Sequence, residues 1–178
     1  MLGKGRSRVL AVQSADPVLS VIGPFALALA VETALVVDLA SDGPRSLAEI
    51  AAEGPRLEEL APGRSGVAVI PGGPIDLETA EEYVHRLSEN WPAVVIRPVD
   101  SWTGPTVPFR PLLPGRLAPR ESSAAVWQPV GSLSRPPGPG PVLPRLKRRT
   151  VESLLSDRVP PVSRWIRAWK PVWGLPWG

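Results

Sequence analysis

The 178-residue chain contains no cysteine. Disulfide staples, thiolate nucleophiles and cysteine-ligated metals are therefore excluded, and a reducing cytosol suits the composition. Histidine is nearly absent too. His85 is the single example, so a Ser/His/Asp triad would have to pass through it, and no serine sits in a nucleophile-elbow sequence. Lysine is confined to Lys4, Lys147 and Lys170. No apolar run reaches the roughly 20 residues that a membrane-crossing helix requires. The longest, over 17–31, contains Gly23 and Pro24 and ends at Glu32. Lys4, Arg6 and Arg8 precede it and ALALA resembles a cleavage site, the features of a secretory leader. Gln13 and Asp16 interrupt the hydrophobic stretch, however, and the residues beyond Glu32 continue an alternating pattern. An internal helix, interrupted at Pro24, is therefore expected there. No internal repeat at a solenoid period is present.

What the chain has in quantity is aliphatic residues, proline and unevenly placed charge. Hydrophobic residues make up 43%, enough for one globular domain with a sizeable core. Residues 1–110 hold 9 Lys/Arg against 14 Asp/Glu, net −5, whereas residues 111–178 hold 11 against 3, net +8. The formal charge of +3 is the sum of an acidic body and a basic end, and the basic end is the part expected to seek an anionic partner. Of the 24 prolines, 17 lie from Pro92 onward.

Short valine-rich runs mark strands buried on both faces of a parallel sheet. They fall at Arg8–Gln13 (RVLAVQ), 34–37 (ALVV), 66–70 (GVAVI), 93–96 (AVVI) and 124–130 (AAVWQPV). Helical spacing appears over 47–52 and 57–60. Asp76 reads as the N-cap of a helix to about Asn90, with Leu77, Ala80, Val84 and Leu87 on one face and Glu78, Glu81, Glu82 and Glu89 outside. The expected architecture is a three-layer α/β domain over residues 1–135 with a mainly parallel sheet of about five strands. Residues 136–178 are expected to form a separate, basic tail rich in proline and tryptophan. In it PPGPGP acts as a semi-rigid spacer, and Thr150 caps a short helix.

The order of these elements, Asp38 at the end of the second strand and the VIPGG turn over 69–73 resemble the MinD/ParA group of P-loop ATPases. The turn is also similar to that of the CpaE/TadZ branch, which serves Tad-type pilus assembly. The resemblance spans about residues 8–130 and implies a P-loop NTPase-like fold. It also implies three chemical positions, and the chain departs from two of them while keeping one. The family's first loop, of the type KGGxGKT, cradles phosphate on backbone amides and adds a lysine and a magnesium-holding threonine. Here the loop reads SADPVLSVIG. The lysine positions fall on Ala15 and Ser20, or on Pro24 in the other register, and Asp16 adds a carboxylate where phosphate would sit. Asp38 matches the aspartate that helps position metal and water. The third position, an aspartate ending a hydrophobic strand, is Arg97. The resemblance thus points to a degenerate P-loop without hydrolysis, with no cofactor and no metal site expected.

His85, between Glu81, Glu82 and Glu89, reads as an exposed helical histidine. DSWTG over 100–104 follows a strand end, where ligands of open α/β sheets gather, and reads as a polar loop carrying one packed tryptophan. At the C-terminus Trp165, Trp169, Trp173 and Trp177 recur every four residues with Arg164, Arg167 and Lys170 interleaved. Indoles at the headgroup level with cations beside them suit an anionic membrane surface. The same residues suit an acidic partner groove or packing onto the chain's own sheet, while Pro171 and Pro176 forbid one continuous helix. No nucleic-acid-binding module is present. The functional expectation is a non-catalytic scaffold or localisation factor, cytoplasmic and peripheral at the inner membrane face. It would bind a protein partner in a pilus or secretion assembly. The alternative is a nucleotide- or metabolite-binding enzyme with an atypical site near Asp38 and Asp100.

Overall fold

In the computed structural model, which describes residues 8–54, 60–63, 65–113, 122–131, 135–156, 158–160 and 163–177, strands and helices alternate over the first hundred residues. β1 (Arg8–Gln13), α1 (Pro17–Leu29), β2 (Ala34–Asp38), α2 (Leu47–Glu53), β3 (Val67–Pro71), α3 (Leu77–Ser88) and β4 (Ala93–Arg97) follow one another. β5 (Thr106–Leu112), β6 (Val126–Pro129), α4 (Arg148–Leu155), α5 (Arg164–Arg167) and a 3₁₀ turn (Lys170–Gly174) complete the described elements. The strands form one sheet in the order β3-β2-β4-β1-β5-β6, and every registered pair is parallel. The protein is therefore α/β with a single parallel sheet of six strands, one more than the sequence suggests.

β2 is buried at all five positions and β4 at its first four. That is the burial of strands covered on both sides, and it explains their unbroken ALVV and AVVI runs. Two hydrophobic clusters flank the sheet. Leu35, Val37, Val94 and Ile96 pack beneath α2 and α3 with Leu47, Ile50, Val84 and Leu87. On the other face Val12, Val36, Val95 and Phe109 meet α1 through Ile22, Ala26 and Leu27. Gly23 sets how close α1 lies, because a Cβ there would stand 2.8 Å from Phe109 Cδ1 and 3.0 Å from Val12 Cγ1. α1 runs unbroken through the buried Pro24, against the expectation of an interruption there. A proline costs an α-helix one backbone hydrogen bond, and this helix is buried along both flanks of that position.

α3 starts where its sequence indicates. Asp76 accepts from the Thr79 backbone N–H at 2.9 Å and from the Thr79 hydroxyl at 2.7 Å. These two bonds hold its carboxyl below the ordinary aspartate value, the backbone bond contributing most. The helical reading over 57–60 lies almost wholly outside the described residues.

β5 went unread because Pro105, Pro108 and Pro111 disguise it. Proline normally stays at sheet edges, yet β5 lies between β1 and β6. Its inward residues Val107 and Phe109 are completely buried, which compensates for the lost donors. The larger correction concerns residues 136–178. The PPGPGP segment is no spacer. Ala125 N–H donates to the Pro139 carbonyl (3.0 Å), Trp127 N–H to Pro141 (2.9 Å) and Leu143 N–H to Trp127 (2.9 Å), stitching the segment alongside β6. Prolines cannot donate, but their carbonyls accept. Leu143, Leu154, Trp165, Trp169, Val172 and Trp173 then join the cluster that holds α1 to the sheet. A boundary at residue 135 therefore divides one core, and the described residues of 136–178 pack onto it instead of extending from it. Thr150 is also not a cap: Lys147 occupies that position, and Thr150 lies buried within α4.

Candidate functional site

The carboxyl ends of β1, β2 and β4 bring together the loop 14–16, Asp38 and Arg97, as expected for a parallel sheet whose loops gather at that edge. β1 feeds the loop 14–16, and Asp16 caps α1. Its Oδ1 accepts from the backbone N–H groups of Val18 and Leu19, both at 2.9 Å. Pro17 has no N–H to offer, and Ser20 N–H donates to the Asp16 carbonyl at 2.9 Å. A helix N-terminus binds anions through its free amides. Here each amide of the first turn is missing or already engaged, and a carboxylate occupies the anion's place. Such a cap is worth about 1 kcal/mol, so the arrangement stabilises α1 and leaves no first-turn amide free for an anion.

The second position is closed in the same way. Asp38 and Arg97 are register partners on adjacent strands β2 and β4. The Arg97 Nη1 lies 3.1 Å from Asp38 Oδ2 and 3.4 Å from Oδ1. Asp38 Oδ1 also accepts from Ala40 N–H at 3.1 Å, and Arg97 contributes its own carbonyl to Leu39 N–H at 3.0 Å. With its side chain only 12% exposed, Asp38 has its charge met by an internal guanidinium where a magnesium-associated aspartate would need an open coordination sphere. Among the described residues no group of three or more His, Asp or Glu could hold a metal ion.

Beside this pair a cleft of about 770 Å³ opens at the ends of β1, β4 and β5, with Gln13, Ser14, Ser20, Arg97, Asp100 and Arg110 among its walls. Asp100 is exposed on it, whereas Asp38 is buried behind Arg97. Of the two aspartates in the alternative enzyme reading, Asp100 lines the cleft directly and Asp38 reaches it only through its partner Arg97. In the following loop Trp102 packs against the α2/α3 core, and the Thr103 hydroxyl donates to Glu81 Oε1 at 3.0 Å. His85 is exposed on α3, as its sequence context indicates.

The C-terminal constellation separates by residue type. Arg164, Arg167 and Lys170 are exposed. Trp165, Trp169 and Trp173 are 3%, 0% and 7% exposed, and Trp177 is half-buried. Trp169 packs edge-on to Phe109, with centroids 4.8 Å apart, and to Trp165 at 5.8 Å. Three indole N–H groups have acceptors inside the protein. Trp165 donates to Gln128 Oε1 (2.5 Å), Trp173 to the Leu27 carbonyl (3.1 Å) and Trp177 to the Val172 carbonyl (2.8 Å). The expectation that these tryptophans face a membrane or a partner is corrected for Trp165, Trp169 and Trp173. A short α5, followed by a 3₁₀ turn begun at Lys170 and Pro171, keeps every fourth residue pointing at the sheet. Burial removes these large rings from water, and the Trp169 N–H, alone of the four, is buried without an acceptor among the described residues. Gln128, fully buried and bonded to Trp165, carried no sequence signal beyond its place in an apolar strand.

Comparison with protein-family models, curated proteins and solved structures returned no match.

Proposed function

We propose that the chain is a non-catalytic scaffold or localisation factor of MinD/ParA-like shape, working at the cytoplasmic face of a membrane in a pilus or secretion assembly. One observation supports this reading: Asp16 caps the first turn of α1 and Arg97 pairs with Asp38, so if the chain shares the P-loop ATPase fold its own side chains take the positions of phosphate and magnesium. A fold that has filled its own nucleotide site is left with its outer surface as the means of action. Arg164, Arg167 and Lys170 remain on that surface. Any contact with anionic lipid therefore rests on cations, each contributing on the order of 1 kcal/mol near a charged bilayer. That supports reversible contact and not insertion. No helix among the described residues is long and apolar enough to cross a membrane.

The second reading, a metabolite-binding enzyme, is favoured only by the cleft beside Asp100 and Arg97. Ser14, Ser20 and Asp100 line it, and the Ser20 hydroxyl donates to the Pro17 carbonyl at 2.9 Å rather than to a carboxylate.

Because residues 136–178 belong to the core, deleting them would destroy the fold along with any binding surface. The informative variant is Arg149→Glu/Arg164→Glu/Arg167→Glu, which alters only exposed positions. A partner that co-purifies with the wild-type chain should be lost from this variant while the melting temperature stays within a few degrees. Retention of the same partner by the triple variant would place the binding surface elsewhere and contradict the basic-surface part of the proposal.

A further inference from the structure

The two outer layers of the sheet carry opposite charge. Residues 46–90, which supply α2 and α3, hold nine carboxylates against three cations, net −6. Residues 136–178, which supply α4, α5 and the 3₁₀ turn, hold eight cations against two carboxylates, net +6. α2 and α3 pack on one face of the sheet, and the C-terminal elements pack on the other together with α1. Between Asp16 and Glu32, α1 contributes no charge of its own. On the acidic layer Glu49, Glu53, Glu78, Glu82 and Glu89 are exposed; on the basic layer Arg145, Lys147, Arg149, Arg164, Arg167 and Lys170 are exposed. Among the described residues Glu82 pairs with Arg86, and Arg148 pairs with Glu152 at 2.6 Å. Those six basic-layer cations have no ion pair among the described residues.

Within one molecule the two layers cannot neutralise each other. A sheet with a helical layer on each side separates the outer surfaces by roughly 20 Å or more, about twice the Debye length at 0.1 M salt. A second molecule can bring them together. We infer that the basic layer of one copy of this chain docks on the acidic layer of the next, in a head-to-tail contact between unlike surfaces. This rests on the scaffold reading above and supplies its partner. Such a contact is heterologous, so each addition leaves one acidic and one basic layer unoccupied, and the assembly grows as an open stack unless its rotation closes a ring. Complementary potentials of this kind set register and speed encounter, and salt weakens them.

Sedimentation velocity of the purified chain tests this. At low salt the mass should rise with concentration through multiples of 19.0 kDa, and at high salt it should return to a single chain. Two variants neutralise one layer each at exposed positions: Glu78→Gln/Glu82→Gln/Glu89→Gln on the acidic side and Arg149→Gln/Arg164→Gln/Arg167→Gln on the basic side. Each alone should stay monomeric at concentrations where the wild type associates. Mixed in equal amounts, they should form pairs and not reach the wild-type size. Each then has one intact layer complementary to the other's, so growth stops at two chains. A wild-type chain that remains at 19.0 kDa at every low-salt concentration overturns the inference. So does a mixture that grows past two chains, and so does a monomer that sediments with anionic vesicles through the basic layer. None of those three results would restore nucleotide binding, so the scaffold reading and this partner can fail separately.

Discussion

Trp169→Ala should lower the stability of the chain by about 3–5 kcal/mol, the usual cost of deleting a large aromatic side chain from a packed core. In a protein of this size that is a fall in melting midpoint of roughly 6–20 °C. Trp169 is wholly buried and stands edge-on between Phe109 of β5 and Trp165 of α5. Removing it opens a void at the junction of sheet, α1 and C-terminal layer, and none of the aromatic neighbours can follow without losing its own contacts. Arg167→Ala, on the exposed side of the same segment, should change the midpoint by less than about 2 °C, since surface substitutions usually stay within about 0.5 kcal/mol. Thermal or urea unfolding of the pair distinguishes a core element from a detachable anchor. An anchor detached from the core would leave both variants near the wild-type midpoint.

Gly140→Ala should cost about 3 kcal/mol or more, the sum of backbone strain and steric displacement, although the residue is exposed and sits in a run that reads as featureless. Its φ is +119°, and a Cβ there would stand 1.9 Å from the Ala125 carbonyl oxygen and 3.0 Å from the Ala125 nitrogen. The strained backbone accounts for about 1–3 kcal/mol, and displacing backbone atoms already bonded in the seam accounts for a similar amount. The hydrogen bonds from Ala125 and Trp127 to Pro139 and Pro141 flank the position, so the damage reaches β6. Gly174→Ala serves as the control. No heavy atom lies within 4 Å of its would-be Cβ, and little change is expected in a melting curve.

These two residues mark where sequence reasoning stopped. The four strands flanked by α1 to α3 were legible because buried parallel strands must be continuous aliphatic runs, and α3 was legible because Asp76 precedes an amphipathic pattern. β5 and the stitched segment were not, since proline suppresses the strand signal and the acceptors that hold 139–141 in place are backbone carbonyls, which leave no residue signature. The tryptophan spacing was visible, but its direction was not. Four-residue spacing puts side chains on one face, and only the surrounding packing decides whether that face is inward. At the carboxyl ends of β1 and β4 the absent lysine, Asp16 and Arg97 were all readable as departures from the pattern the sequence resembles. That Arg97 bonds Asp38, and that Asp16 consumes the α1 amides, required the register of β2 against β4 and the geometry of the cap.

The proposal that the chain does not use nucleotide is tested most directly by a melting curve of the wild-type chain with and without ATP and magnesium. A ligand at a hundred times its dissociation constant stabilises a protein by about 2.7 kcal/mol, which here corresponds to roughly 5–10 °C. With the first-turn amides of α1 engaged by Asp16 and Asp38 paired to Arg97, the expected result is superimposable curves at millimolar nucleotide and no release of phosphate. A reproducible upward shift of several degrees that depends on magnesium would contradict it, because it would require Arg97 and Asp16 to give up their internal partners in favour of the nucleotide.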